Sequence, residues 1–363
     1  MQKKIKPIIF GLSSTSLSDE ETLLFKENEA VGFILFSRNL ESRLQIIKLT
    51  SSLKDLYPDR DVPIFVDQEG GRVSRIKPPI TKNIYPSAEY FAIMYDNNML
   101  QAKNELKSNY IDLMADLKSL GIDSPCAPVC DILYPNSSDV IGDRSFGNNA
   151  DKVIDLCRSA ISAINLSGGL PFIKHIPGHG RAEVDSHFEL PIINTKLEQL
   201  AETDFRVFKE LATEKVWGMT AHIIYTALDS KHTATTSSIV IQYIRENIGF
   251  KGKLVSDDIC MYALHGIIGK KNALLKKVIN LAEKGENWKE LYSEELNKLL
   301  GINTSQVANI LIIELCQKKI DELKPEFLES LAKNTKLSLR AGCDIILHCS
   351  GDLEEMRTIC SAL

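Results

Sequence analysis

Short apolar runs alternate along the chain with stretches of helical periodicity. Eight runs have the length and continuity of strands covered on both faces: Pro7–Leu12, Val31–Phe36, Val62–Val66, Pro125–Val129, Leu170–Lys174, Val216–Ala221, Gly252–Ser256 and Asp344–Cys349. After Asn149, the residues Val153, Leu156, Cys157, Ala160, Ile161 and Ile164 form one helical stripe, which Gly168-Gly169 stops. Thr195 with Glu198 three residues on has capping-box spacing. Leu197, Leu200, Ala201, Phe205, Phe208 and Leu211 share the face that follows. Strands alternating with helices predict an α/β fold, here a (β/α)8 TIM-like barrel. A doubly wound open sheet shows the same alternation, so periodicity leaves it standing. Between the seventh and eighth strands the spacing lengthens. Residues from about 270 to 333 are rich in Lys, Glu and Leu, with Leu274, Leu275, Val278 and Leu281 at helical spacing, and again Val307, Ile310, Leu311 and Leu315. This predicts a helical insertion outside the barrel, with a partner-binding or dimerising module as the other option. Residues 1–363 are expected to form a single domain that carries it.

Composition narrows the class. Apolar residues at 44% and charged residues at 25% exclude a disordered or collagen-like chain. A net charge of −5, with basic pairs such as Lys3-Lys4 and Lys270-Lys271 but no long run of like charge, argues against a nucleic-acid partner. The eight cysteines include no CxxC pair, so they lack the spacing of zinc ribbons and thioredoxin-like motifs. Several lie in apolar runs and read as buried free thiols, which fits a reducing compartment. The opening Met-Gln-Lys-Lys-Ile-Lys is like the basic start of a signal peptide, but the apolar stretch Pro7–Leu12 is too short for one and contains Pro and Gly. No apolar run approaches the ~18 residues of a membrane span. The expectation is a cytoplasmic protein with no membrane partner. Neither GxGxxG nor GxxxxGK[ST] occurs, which removes the usual nucleotide signatures.

The polar residues concentrate where a barrel places its chemistry, at the C-terminal ends of the strands. The third strand runs into Asp67-Gln-Glu-Gly-Gly-Arg-Val-Ser-Arg75. The fourth runs into Asp131, with Asp143-Arg144-Ser145 in the next loop. The fifth runs into Lys174-His-Ile-Pro-Gly-His-Gly180 and then Asp185-Ser-His187. The sixth ends at His222 and the seventh at Ser256-Asp-Asp258. A single Asp after a strand is commonly a loop hydrogen-bonder. Two chemistries can use the set together. His175, His179, Asp185 and His187 could hold a metal, but they lie on one Gly- and Pro-containing loop without an HExxH helix. Alternatively, Asp257 attacks an anomeric carbon while a loop residue donates a proton, with Asp67, Arg75, Arg144, Lys174 and His175 binding sugar hydroxyls.

The runs 67–75, 174–180 with 185–187, and 256–261 resemble the three signatures of glycoside hydrolase family 3, and more narrowly its bacterial β-N-acetylhexosaminidases of peptidoglycan recycling. Supporting stretches are Phe36-Ser-Arg-Asn39, Ala127-Pro-Val129, Gly142-Asp-Arg-Ser-Phe146, Ala221-His-Ile-Ile-Tyr225 and Ala341-Gly-Cys-Asp-Ile-Ile-Leu347. The resemblance implies Asp257 as nucleophile, His187 as general acid/base and Asp185 as its orienter. Asp67, Arg75, Arg144, Lys174 and His175 match substrate-binding positions, and His222 is taken with them as a polar strand end. An imidazole suits the acid/base role because it titrates near neutrality, and a carboxylate beside it fixes its tautomer. Asp258 is expected to point away from Asp257 and to be structural. Ile176, Thr220 and Ile259-Cys260 depart from the family's usual residues without removing a reacting group. The resemblance implies a retaining exo-β-N-acetylglucosaminidase that needs no metal or other cofactor. Its implied substrates are N-acetylglucosamine-containing peptidoglycan fragments. A phosphorylase of the same fold and a non-catalytic sugar-binding protein are the alternatives. The loop at Gly178 to Arg181 is expected to close over bound sugar.

Overall fold

The computed structural model describes residues 5–187, 189–304 and 306–363, and the Lys3-Lys4 pair lies outside them. Seven apolar runs pair as parallel strands: β1 (Lys6–Gly11), β2 (Ala30–Leu35), β3 (Ile64–Val66), β4 (Phe172–Ile176), β5 (Trp217–Thr220), β6 (Leu254–Asp258) and β7 (Ile345–His348). Their order is β3-β2-β1-β7-β6-β5-β4, with Ile9 opposite Leu347 and Val255 opposite Ile345.

The sheet is open, so the closed (β/α)8 barrel expected above does not form. The predicted strand Pro125–Val129 fills the gap between the edges β3 and β4 and bonds to both sides, Gln68 N–H to Pro125 O at 3.0 Å and Phe172 N–H to Ala127 O at 2.8 Å, but only the isolated bridges Phe65–Ser124 and Val129–Lys174 form, not a continuous strand. Pro125 and Pro128 have no N–H to give, and Cys126 sits at φ 50°, a left-handed conformation that interrupts a strand. The run is apolar because it is buried, and its pairing is too interrupted to make a regular strand. The sheet curls enough for the edge residues Phe65 and Phe172 to meet ring edge to ring face at 5.7 Å. Together with Ile9, Ile34, Met219, Val255 and Leu347 they form an inner core on the concave side.

The outer layer consists of α1 (Asp19–Glu27), α2 (Arg43–Asp55), α3 (Ala88–Asn97), α4 (Met99–Ser119), α5 (Ala150–Leu166), α6 (Leu197–Glu202), α7 (Asp204–Leu211) and α8 (Ser238–Glu246), followed by α9 (Gly266–Glu283), α10 (Trp288–Leu300), α11 (Asn309–Ala341) and α12 (Leu353–Ala362). α5 starts where the Asn149 side chain accepts from the Lys152 amide and buries its expected stripe. The helix expected to be capped by Thr195 instead starts after Lys196, with no side-chain cap, and breaks at Thr203. The break frees Asp204 to reach the loop after β4. Three helices, α9 to α11, occupy the stretch between β6 and β7. Their core of Leu275, Val278, Trp288, Leu296, Ile312 and Cys316 is separate from the main one. α11 then continues into the main core through Leu331.

Candidate active site

The C-terminal ends of β3, β4 and β6 open on one cavity of about 710 Å³. That is ample for a sugar residue with part of its neighbour. Ile34, Phe36, Met219, Met261 and Leu347 supply apolar wall, and charged groups supply the rest.

One side is a buried charge network. Beyond β3 the chain turns through a small hairpin, Gln68–Gly70 against Val73–Ser74, closed by the Gln68 amide pairing with both Ile76 backbone groups at 2.8 and 2.9 Å. The hairpin aims Glu69 inward. Arg144 grips it with two bonds, Nε to Oε2 at 2.8 Å and Nη2 to Oε1 at 2.9 Å, and Lys174 Nζ lies 2.6 Å from Oε1. Lys174 also reaches Asp67 Oδ1 at 3.1 Å, and Arg75 lies 3.5 Å from Asp67 Oδ2. Burial alone would raise the Glu69 carboxyl, but Arg144 and Lys174 outweigh it and hold it well below the usual range. Burial likewise works against the Lys174 ammonium, and Glu69 with Asp67 keeps it well above the usual lysine value. These groups therefore stay charged and leave hydrogen-bonding capacity toward the cavity.

The segment after β4 crosses the opposite side. Asp131 is fully buried and anchors it: its carboxylate takes the His175 ring at Nδ1 (2.7 Å), the His175 amide and the His179 amide (2.6 Å). Tyr225 Oη donates to Gly178 O at 2.7 Å, and Arg181 Nε pairs with Asp204 Oδ2 at 2.7 Å. Gly178, His179 and Gly180 are buried, so the expected closing hinge at 178–181 is instead a pinned support. Exposure increases further on. His187 presents a side chain 58% exposed, its Nδ1 held by Asp185 Oδ1 at 2.8 Å. That bond raises the His187 imidazole above its usual value against the opposing effect of burial. Nδ1 is occupied, so Nε2 is the atom that can exchange a proton with a ligand. His179 differs. Burial, then its neighbour His175, depress it to about 4, and its Nε2 faces Ser186 at 3.0 Å. The ligand atoms of His175, His179, Asp185 and His187 do not converge as a metal-binding set of three.

Asp257, the penultimate residue of β6, lines the same cavity. Burial alone would raise its carboxyl, but the imidazoles of His175, His222 and His187 outweigh burial and leave it at about 2. It is a carboxylate at any physiological pH. Asp258 turns to local duty, its Oδ1 accepting the amides of Cys260 and Cys349 at 3.1 Å each. The structure thus brings Asp67, Arg75, Arg144, Lys174, His175, Asp185, His187 and Asp257 to one cavity. His222 is corrected. It is fully buried and does not line the cavity, but braces the end of β6 through Nε2 to Asp258 O at 2.9 Å and Nδ1 to Thr235 Oγ1 at 2.7 Å. Glu69 and Asp131 also belong to the site, although the sequence alone assigns neither a role there.

Comparison with known proteins follows the same residues. The glycosyl hydrolase family 3 N terminal domain matches residues 3–279. The chain belongs to glycosyl hydrolase family 3. A β-hexosaminidase of Alkalilimnicola ehrlichii is 37% identical over 261 residues, covering 71% of this chain and 73% of that protein. One from Methylobacillus flagellatus is 32% identical over 266 residues, covering 72% and 74%. Among solved structures, NagZ from Neisseria gonorrhoeae in complex with N-trifluoroacetyl-D-glucosamine superposes with a TM-score of 0.74 at 26% identity, covering 98% of this chain and 84% of that one. The family 3 match ends inside α9, so α10, α11, β7 and α12 lie beyond it.

Proposed function

We propose that this family 3 glycoside hydrolase is a retaining β-N-acetylglucosaminidase that removes terminal N-acetylglucosamine from peptidoglycan fragments. One observation carries the reading. An ionised carboxylate, Asp257, and an imidazole oriented by a carboxylate, His187 with Asp185, line the same sugar-sized cavity as the charged network of Glu69, Lys174 and Arg144. In the first step, Asp257 attacks the anomeric carbon. The His187 Nε2–H gives its proton to the glycosidic oxygen, and the aglycone leaves as an alcohol. In the second, neutral His187 takes a proton from water. The water displaces Asp257 from the anomeric carbon, releasing the sugar with retained configuration. A histidine donor also keeps a second carboxylate away from an anionic aglycone. Relatives named β-hexosaminidase support the N-acetylated sugar, and the Lys-His…Asp-Ser-His loop supports the peptidoglycan substrate. Eight unpaired cysteines fit a reducing compartment such as the cytoplasm. No helix among the described residues is long and apolar enough to cross a membrane.

The test is hydrolysis of chromogenic β-glycosides of N-acetylglucosamine and of glucose, with and without phosphate. The N-acetylglucosaminide should be cleaved in preference, without a phosphate requirement. Asp257→Ala should reduce turnover to background. Full activity in that variant would remove Asp257 from the nucleophile role.

A further inference from the structure

A second cluster of reactive groups lies behind the catalytic cavity and lines no part of it. Cys260 follows β6, His348 ends β7, and Glu355 stands in the first turn of α12. Their ligand atoms, Sγ, Nε2 and a carboxylate oxygen, all lie within 4.8 Å of one another. Glu355 Oε2 is 3.3 Å from Cys260 Sγ and 3.1 Å from His348 Nε2. Ser350 Oγ also donates to Oε2 and lies 3.0 Å from His348 Nε2. His348 is fully buried.

Hydrogen bonding alone serves this arrangement badly. With the proton on Nε2, the thiol, the imidazole and the serine hydroxyl all donate to one oxygen, which offers about two lone pairs. With the proton on Nδ1, Nε2 can accept from Ser350 Oγ at 3.0 Å, but the buried Nδ1 has no partner and Nε2 still faces the carboxylate oxygen lone pair to lone pair at 3.1 Å. A cation between the three groups turns the crowding into coordination. Zinc–nitrogen and zinc–oxygen bonds of ~2.0–2.2 Å and a zinc–sulfur bond of ~2.3 Å set tetrahedral ligand atoms about 3.3–3.5 Å apart, close to the 3.3 and 3.1 Å from Glu355 to Cys260 and His348. A mixed thiolate, imidazole and carboxylate set favours zinc and similar transition metals over magnesium or calcium, which bind through oxygen.

We propose that Cys260, His348 and Glu355 form a zinc-binding site distinct from the catalytic cavity, with Ser350 or water in the fourth position. Binding replaces the Cys260 thiol proton, which is released to solvent, and involves no change of oxidation state. The cation ties the end of β6 to β7 and α12. Cys260 and Cys349, next to His348, both donate amides to Asp258, so this clasp also braces the strand end that carries Asp257.

The test uses the full chain, reduced, stripped with a chelator and titrated with Zn2+ against a chromophoric competitor. One Zn2+ should bind per chain. Affinity should fall at least about tenfold in Cys260→Ser and in Glu355→Gln, since even partners outside the ligand shell act on that scale. It should persist in His187→Ala. Co2+ in place of Zn2+ should give a near-ultraviolet thiolate-to-metal band that Cys260→Ser lacks. Added Zn2+ should raise the melting temperature of the unsubstituted chain and not that of Cys260→Ser, whose far-ultraviolet circular dichroism verifies folding. Binding that survives both substitutions, binding lost only in His187→Ala, or no stoichiometric binding in metal excess would each overturn the proposal. None of these outcomes bears on the hydrolase reading, which Asp257→Ala tests separately.

Discussion

At the scale of single residues, the proposed acid/base behaves as a pair. The Asp185 bond raises the His187 imidazole above its usual value of about 6.5. A general acid must hold its proton, so kcat/KM should stay high as pH rises through the usual imidazole range and fall only above the raised value. Asp185→Asn removes the charge that stabilises the protonated ring. The His187 pKa then drops, and the alkaline limb of the kcat/KM profile should move to lower pH. For substrates with poor leaving groups the rate should fall by about 10²-fold or more, within the 10²–10⁴ that acid–base catalysis contributes. Activated aryl glycosides, which need little protonation, should lose least. An unmoved alkaline limb would mean that Asp185 has another role. The family resemblance implies Asp185 and His187 as a pair, and the bond between them is local, two residues apart in sequence. Glu69 and Asp131 are harder to see. Each gains its meaning from partners distant in sequence, Arg144 and Lys174 for the first, His175 and His179 for the second. His222 shows the converse: a polar residue at a strand end is not read as lining or bracing until its side-chain direction is known.

At the scale of elements, the strands that match their predicted runs are those buried on both faces, where continuous apolar sequence is required. Pro125–Val129 fails because burial with interrupted pairing gives the same composition. Its consequence is functional, since this non-strand segment leads into Asp131 and Ile132, which carry the loop after β4. A Cβ added at Gly180 would lie 1.7 Å from the Ile132 carbonyl oxygen, so the two segments could not keep their contact. Gly180→Ala should therefore cost about 1–3 kcal/mol as overpacking, and should also lower kcat/KM by displacing Asp131 from His175 and His179. Gly168→Ala is the control. Gly168 has φ +68° with nothing within 4 Å of the added carbon, so it should lose about 1–2 kcal/mol from backbone strain alone and leave kcat/KM unchanged. Urea unfolding and kinetics on both variants separate a packing defect at the site from a general loss of stability.

At the scale of the whole molecule, two cores meet along α11. The main core holds the sheet and its covering helices, and the second lies under α9, α10 and the first half of α11. Trp288 anchors the second core. It is 1% exposed, and its Nε1 donates to Asn309 Oδ1 at 2.9 Å, tying α10 to the start of α11. The periodicity of Leu274, Val278 and Leu281 shows that such helices exist, but not that they pack mainly on one another, because an amphipathic stripe does not name its partner. If the second core is a separate cooperative unit, damage to it should stay local. Trp288→Ala removes a large buried side chain at a cost of about 3–5 kcal/mol. Amide hydrogen exchange should accelerate in α9, α10 and the first half of α11, while β1 to β7 keep their protection and aryl-glycoside turnover is unchanged. A uniform acceleration across the strands, or a large fall in turnover, would instead make the helical layer integral to the sheet. Cys260 and Tyr262, partly buried between β6 and α9, pack against the second core and are the shortest route by which such damage could reach Asp257.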